Sequence, residues 1–105
     1  MAPMAPLGRD RAIQLVREGK LPIWFGSPHP TVAIVEQDGA FRVRQLVIDE
    51  AEARASSAAA LAAGRSWMPE HYYALGKPTG TIYAEARSRD ELIEQLRAMD
   101  WPAGW

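Results

Sequence analysis

Two apolar runs rich in β-branched residues flank Asp38-Gly39 within residues 31–48, TVAIVEQDGAFRVRQLVI. β-Branched residues are typical of β-strands, in which successive side chains point to opposite faces. Asp38-Gly39 favours a two-residue type I′ turn, since glycine adopts positive φ freely and aspartate tolerates it. Such a turn places Gln37 opposite Ala40 and sets the register of both strands. The pattern therefore predicts a β-hairpin at the centre of the fold.

This register sorts the side chains of the hairpin onto two faces. The face that we expect to meet the core carries Val32, Ile34, Phe41, Val43 and Val47. The opposite face carries Thr31, Ala33, Val35, Arg42, Arg44 and Leu46. This second face is too apolar for a simple solvent face and too charged for another core, so we expect something to cover it.

Apolar positions at helical spacing predict three helices. The first covers about residues 9–18, and the second covers about residues 49–63, with Asp49 as its N-cap and Gly64 as its stop signal. The third begins at Ser88. Within the second helix, small side chains form a stripe that consists of Ala51, Ala55, Ala58 and Ala62. Because small side chains bury little area each, we expect this helix to gain stability from close approach to the sheet.

A third strand is predicted over residues 81–86, with Ile82, Ala84 and Ala86 on its core side. The order α-β-β-α-β-α then indicates a small α+β domain, a two-layer sandwich of an antiparallel three-stranded sheet with helices on one face. A short fourth strand near Ile23 would lie at the edge, because Pro22, Pro28 and Pro30 lack the amide that a central strand needs. Residues 1–8 are expected to form a flexible arm, and residues 9–105 a single domain.

Composition narrows the function classes. The 105-residue chain carries a formal net charge of −1, which provides no global attraction to nucleic acid or to an anionic membrane. It has no cysteine, which excludes disulfides and thiolate metal sites and fits a reducing cytoplasm. No apolar run approaches the roughly 18 residues that span a bilayer, so no membrane contact is expected. Frequent Ala and Arg in place of Ile and Lys is typical of high-GC bacterial genomes.

The best catalytic candidate is His71, which lies in a loop beside Glu70, Tyr72 and Tyr73. A general base needs a carboxylate that orients it, and residues adjacent in sequence rarely share one face, so this grouping is a weak signal. His29 lies between two prolines and far from His71 in sequence. Two histidines without cysteine make a poor metal site, and neither phosphate-loop nor serine-nucleophile motifs occur. We therefore expect no metal and no cofactor, and an enzyme is the less favoured reading.

A nucleic-acid surface is an alternative. Arg42 and Arg44 alternate on one strand, and Tyr83 and Arg87 would join them if the third strand pairs beside the hairpin. Basic residues around an exposed aromatic ring bind single-stranded nucleic acid through phosphate contacts and base stacking. The negative net charge and the lack of an RNA-binding motif weaken this hypothesis.

The leading hypothesis rests on the aromatic residues, which lie mainly in loops and in the C-terminal segment. Tyrosine and tryptophan are enriched at protein interfaces, because they bury large areas with few rotamers to freeze. The candidate binding residues of this kind are Trp24, Trp67, Trp101 and Trp105. We therefore expect a non-catalytic interaction module that binds a protein partner, or a second copy in a homodimer, through aromatic loops and the free sheet face. A small enzyme centred on His71 is the third hypothesis.

Overall fold

The computed structural model describes residues 4–105, which form a four-stranded antiparallel sheet in the order β1-β2-β3-β4. The strands are β1 Ile23–Phe25, β2 Val32–Gln37, β3 Ala40–Gln45 and β4 Ile82–Ala86. The helices are α1 Arg9–Arg17, α2 Glu50–Ala62, α3 Pro69–Tyr73 and α4 Arg89–Ala98. The α+β class is confirmed, and the element order gains the edge strand β1 and the short helix α3. Within residues 4–105, no helix has the length and apolarity that crossing a bilayer requires.

The predicted hairpin is confirmed in both its turn and its register. Asp38 and Gly39 have φ values of 52° and 77°, as a type I′ turn requires. Gln37 pairs with Ala40, and the pairing continues without a shift to Val32 opposite Gln45. The two-residue turn therefore decides which side chains of β2 and β3 share a face.

Helices α1 and α4 cover one face of the sheet and form the main core with it. Val16 and Leu96 are fully buried there against the central-strand residues Ile34 and Val43. At the start of α4, the Ser88 hydroxyl oxygen accepts a hydrogen bond from the backbone N–H of Glu91 (3.1 Å), as the sequence pattern predicts. These contacts produce the expected two-layer arrangement.

Residues 76–80 cover part of the second face of the sheet, at the end of β3 and next to Gln37. Ala33, Val35 and Leu46 are buried on this side and form a small second core cluster. The Arg44 guanidinium holds the covering segment in place by donating to the carbonyl oxygens of Thr79 and Gly80. The chain itself therefore covers part of this face.

Helix α2 does not approach the sheet, contrary to the expectation from its alanine stripe. Ala53 is its one buried residue, and Leu61 is 63% exposed. Residues 65–73 fold back beside α2, and together they project from the sheet as an arm, which we define as residues 49–75. The molecule is accordingly elongated, 48 × 29 × 22 Å. Alanine favours helix without needing burial, which is why the stripe misleads about packing.

A register irregularity changes the predicted faces of β4. Val43 pairs with Ala84, but the next residue, Arg44, pairs with Ile82, so Tyr83 is an extra residue in the ladder. Strict alternation predicted that Ile82 joins Ala84 in the core. In the structure Ile82 is 44% exposed and lies outside the core. Period-two alternation cannot reveal a bulge of one residue.

The N-terminal segment lies along the domain. The backbone N–H groups of Leu7 and Gly8 both donate to the Trp105 carbonyl oxygen (2.6 and 3.2 Å), and Leu7 packs against the core. The sequence predicted a flexible N-terminal segment over residues 1–8, of which residues 1–3 lie outside the described residues. Met4, Leu7 and Gly8 therefore have hydrogen-bonding partners in the domain.

Candidate functional site

A cavity of about 410 Å³ lies between the arm and the loop that joins β1 to β2. It is lined by Met4, Pro28, His29, Pro30, Glu70, His71, Tyr73 and Ala74. The His29 ring lies flat on the Tyr73 ring, with centroids 4.4 Å apart and 7° between the planes. The two loops that the sequence identified as rich in aromatics and prolines therefore meet at this point.

Tight local geometry positions the β1–β2 loop. Gly26 has a φ of 133°, and a Cβ atom there would lie 2.8 Å from the Thr31 hydroxyl oxygen, so only glycine fits. The Ser27 hydroxyl donates to the Met4 carbonyl oxygen (2.7 Å), and the Met4 N–H donates to the Pro28 carbonyl oxygen (2.8 Å). Residues 26–30 and Met4 thus form one ordered wall of the cavity.

The opposite wall is α3, which is anchored at both ends. Before α3, the Met68 backbone N–H donates to Nδ1 of His71 (2.9 Å). After α3, Lys77 forms a β-bridge with Val47, which holds together the two chain segments that enter and leave the arm next to β3. Tyr73 lies between these anchors, and its position against His29 follows from both.

The hydrogen bond from Met68 selects the tautomer of a neutral His71 ring. Because Nδ1 accepts a hydrogen bond, the neutral ring carries its proton on Nε2. A general base of the usual kind presents a bare Nε2 and donates from Nδ1 to a carboxylate. Nδ1 of His71 instead accepts the backbone N–H of Met68, and the Glu50 carboxylate accepts from Tyr72. The arrangement favours a hydrogen-bond donor over a base.

The four residues of the catalytic hypothesis do not all share one site. Glu70, His71 and Tyr73 line the cavity, but Tyr72 points to α2, where its hydroxyl donates to Oε1 of Glu50. That hydrogen bond to Glu50 is the main cause of a raised pKa for Tyr72, followed by desolvation. Tyr72 therefore does not line the cavity, but its ring packs edge-on against Tyr73 and supports the wall from the side of α2.

The cavity lining excludes several ligand classes. No lysine or arginine lines it among the described residues, so neither of these side chains is present there to bind a phosphate or a carboxylate. Across residues 4–105, no group of three or more His, Asp or Glu residues could hold a metal ion. The lining is mainly apolar, with His29, His71, Glu70 and Tyr73 as its polar groups.

The proposed nucleic-acid face is not assembled. Arg42 donates from Nε to Oε2 of Glu85 (2.8 Å) and also lies 3.6 Å from the Asp38 carboxylate. The hydrogen bond from Arg42 lowers the pKa of Glu85, and the same bond raises the pKa of Arg42. Arg44 is used internally, as described above. Tyr83 packs edge-on against Trp105, with centroids 5.1 Å apart, and not between the arginines.

Arg87, the last of the proposed nucleic-acid contacts, is exposed just after β4.

The four tryptophans of the interaction hypothesis lie in different environments. Trp101 and Trp105 pack on Phe25 in the main core. Trp67 belongs to the arm, with its ring centroid 5.6 Å from that of His71. Trp24 is 38% exposed on the second sheet face. Trp101 and Trp105, two of the four candidate binding residues, are therefore packed in the main core.

Sequence reasoning did not link His29, Met4 and the two flanking prolines to His71. The signals were present as separate features, a proline-rich loop and a tyrosine pair, but nothing local indicates that they face each other. Their proximity depends on the β-bridge at Lys77 and on the course of residues 26–30.

Comparison with known proteins adds no assignment. No protein-family model matches the chain, and neither a curated protein nor a solved structure matches it. The function is therefore argued from the geometry of the cavity and its surroundings.

Proposed function

We propose that the protein is a non-catalytic interaction module that binds a protein partner at the cavity between its two aromatic loops. The observation that carries the proposal is the contact of His29 with Tyr73, which joins the two loops around a cavity of about 410 Å³. Ligand-binding cavities commonly measure about 300–1,000 Å³ and combine apolar walls with a few polar groups. This cavity has that size and that composition.

The chemistry of the cavity supports binding over catalysis. Nδ1 of His71 accepts a hydrogen bond from the Met68 backbone, and the Tyr72 hydroxyl donates to Glu50 of α2. An enzyme needs a nucleophile or base within reach of an orienting group. The hydrogen bonds around His71 stabilise α3 instead.

Protein is favoured over nucleic acid as the partner. A nucleic-acid site relies on several unpaired basic side chains that contact phosphates. Here Arg42 is paired with two carboxylates and Arg44 with backbone carbonyls, while the cavity itself is lined by prolines and rings. We further propose that the partner is another protein or a second copy of this chain, and that binding takes place in the cytoplasm, which suits a chain without cysteine.

Peptide selection tests this proposal. A random peptide library displayed on phage is selected against the purified protein, and light scattering measures self-association in parallel. We expect enriched peptides, or a dimer, whose binding weakens by about tenfold or more in Tyr73→Ala, the loss typical of an interface hot spot. The matched control is Trp24→Ala, which removes a partly exposed aromatic side chain outside the cavity and should leave binding unchanged.

Circular dichroism shows whether both variants keep the fold. A monomeric protein that enriches no peptide contradicts the proposal. So does binding that Trp24→Ala and Tyr73→Ala weaken equally, because the cavity would then not be the site.

A further inference from the structure

We infer that His71 is a pH-sensitive switch for α3: protonation of its ring removes the hydrogen bond at the start of α3 and loosens this wall of the cavity. The inference is carried by the bond in which the Met68 backbone N–H donates to Nδ1 of His71 (2.9 Å). It does not depend on what occupies the cavity. Only its consequence for partner binding rests on the proposed function.

The hydrogen bond from Met68 requires a neutral ring. A neutral imidazole has one nitrogen that accepts a hydrogen bond, whereas both nitrogens of the protonated ring carry hydrogen. Nδ1 of a protonated His71 would therefore direct an N–H group at the Met68 N–H, and the bond is lost. The side chain of histidine ordinarily titrates near pH 6.5, and His71 is exposed to the solvent that supplies the proton. Protonation and the bonded start of α3 exclude each other.

α3 depends on contacts of this kind. It has five residues, none of them buried, and it begins with Pro69, which has no backbone N–H to donate. Because short helices are marginal by themselves, loss of a bond at the start should shift α3 toward open conformations. Tyr73 follows His71 by two residues, so its position against His29 should loosen with the helix.

His71 has charged neighbours of both signs. Glu70 precedes it on α3, and Arg65 lines a second cavity together with it. α2 adds only uncharged side chains to that second cavity, from Ser56, Ala59 and Ala60. His29 and Tyr73 are the other titratable groups around the cavity of the candidate site. Because His29 is also a histidine, the experiment must separate its protonation from that of His71.

NMR of the ¹⁵N,¹³C-labelled full-length protein follows the ring and the helix together. The ¹⁵N shifts of the His71 ring report its protonation and its tautomer, and the backbone ¹³C shifts of residues 69–74 report the helix population. We expect the neutral ring to carry its proton on Nε2. As the pH falls from about 7.5 to about 5, the ratio of helical to open α3 should decrease about fivefold, the size typical of a lost helix cap, in step with protonation of His71.

Two variants assign the response to His71. His71→Gln keeps an acceptor at the third position of the helix, where glutamine is common in capping boxes, but it does not titrate. Its α3 should therefore remain helical over the same pH range. His29→Phe keeps a ring against Tyr73 and removes the other histidine, so the acid response should persist. Unchanged signals from the four strands show that both variants keep the fold.

Each other outcome overturns the inference. An α3 that stays helical while His71 becomes protonated does so, and so does a neutral ring that carries its proton on Nδ1. An equal acid response in His71→Gln, or the loss of the response in His29→Phe, assigns the response to another group. None of these results bears on the proposed function, which the peptide selection decides at one fixed pH.

Discussion

The ring of Trp101 lies parallel to the ring of Phe25, with centroids 5.5 Å apart and 1° between the planes. Trp105 meets both rings edge-on, at 5.7 Å from Phe25 and 5.3 Å from Trp101. Phe25 is almost completely buried, so this aromatic cluster closes the end of the main core beneath β1. The C-terminal segment is therefore part of the domain.

Removal of this stack should cost substantial stability. Replacing a packed aromatic residue by alanine loses its burial and leaves a cavity, so Trp101→Ala should lower the free energy of unfolding by about 3 kcal/mol. Urea denaturation measures the change. Trp24→Ala is the matched control, because Trp24 is 38% exposed and should cost much less. Equal losses in the two variants would show that Trp101 does not support the core.

Arg44 should be a structural residue whose role lysine cannot take. Its guanidinium donates to the carbonyl oxygens of Thr79 and Gly80 and to Oε1 of Gln37. Hydrogen bonds to a charged group contribute about 1.5–3 kcal/mol, so Arg44→Ala should destabilise the protein by about 2 kcal/mol in chemical denaturation.

Arg44→Lys tests the geometry of this contact. The lysine ammonium keeps the charge but lacks the planar fork, so it should recover less than half of the loss. Full recovery would mean that charge alone holds residues 76–80 on the sheet.

The pair of Arg42 and Glu85 should make stability depend on pH. The hydrogen bond from Arg42 lowers the pKa of Glu85 in the folded state below its value in the unfolded chain. The stabilisation is therefore present above the unfolded pKa of about 4.5, and is lost as the pH falls through the lower pKa of the folded state. Glu85→Gln should be less stable than the parent protein at neutral pH, and this difference should shrink in acid.

Urea midpoints of the two proteins, measured from neutral pH downward, test this prediction. Arg42→Gln removes the other partner and should produce the same convergence with the parent protein. A difference that stays constant with pH would show that the ion pair does not alter the titration of Glu85.

The arm should open independently of the core. Asp49 caps α2 by accepting hydrogen bonds from the N–H groups of Ala51 and Glu52 (2.9 and 3.1 Å), yet α2 has little tertiary support. Loss of an N-cap costs about 1 kcal/mol, so Asp49→Ala should speed amide hydrogen exchange in α2 by about fivefold. The global unfolding midpoint should hardly change.

Ser88→Ala is the matched comparison, because Ser88 caps the buried helix α4. That variant should lower the global midpoint by removing a cap of the core. If both variants lower the midpoint equally, α2 unfolds together with the core and is not an independent arm.

Local chemistry made much of the fold predictable. Positive φ at Asp38 and Gly39, the caps at Asp49 and Ser88 and the apolar periods of α1 and α4 all act within a few residues. Such features depend on backbone sterics and nearby hydrogen bonds, so they can be read from the chain. The expected edge strand near Ile23 was confirmed for the same reason, since proline confines it to the edge.

Features that depend on distant contacts were not predictable in the same way. The bulge at Tyr83 turns that residue toward Trp105, and the alanine-rich α2 lies on the arm and not on the sheet. Alanine content indicates a helix but not its neighbour, because helix propensity and packing are separate contributions.

The sequence by itself determined the hairpin register, the helix ends and the α+β class, since these follow from periodicity and local backbone preference. Only the tertiary structure brought His29 onto Tyr73 and formed the cavity around them. It also paired Arg42 with Glu85, and Arg44 with the Gly80 carbonyl oxygen. Long-range pairing is decided by which surfaces pack most favourably across the whole chain, and no local pattern records that outcome.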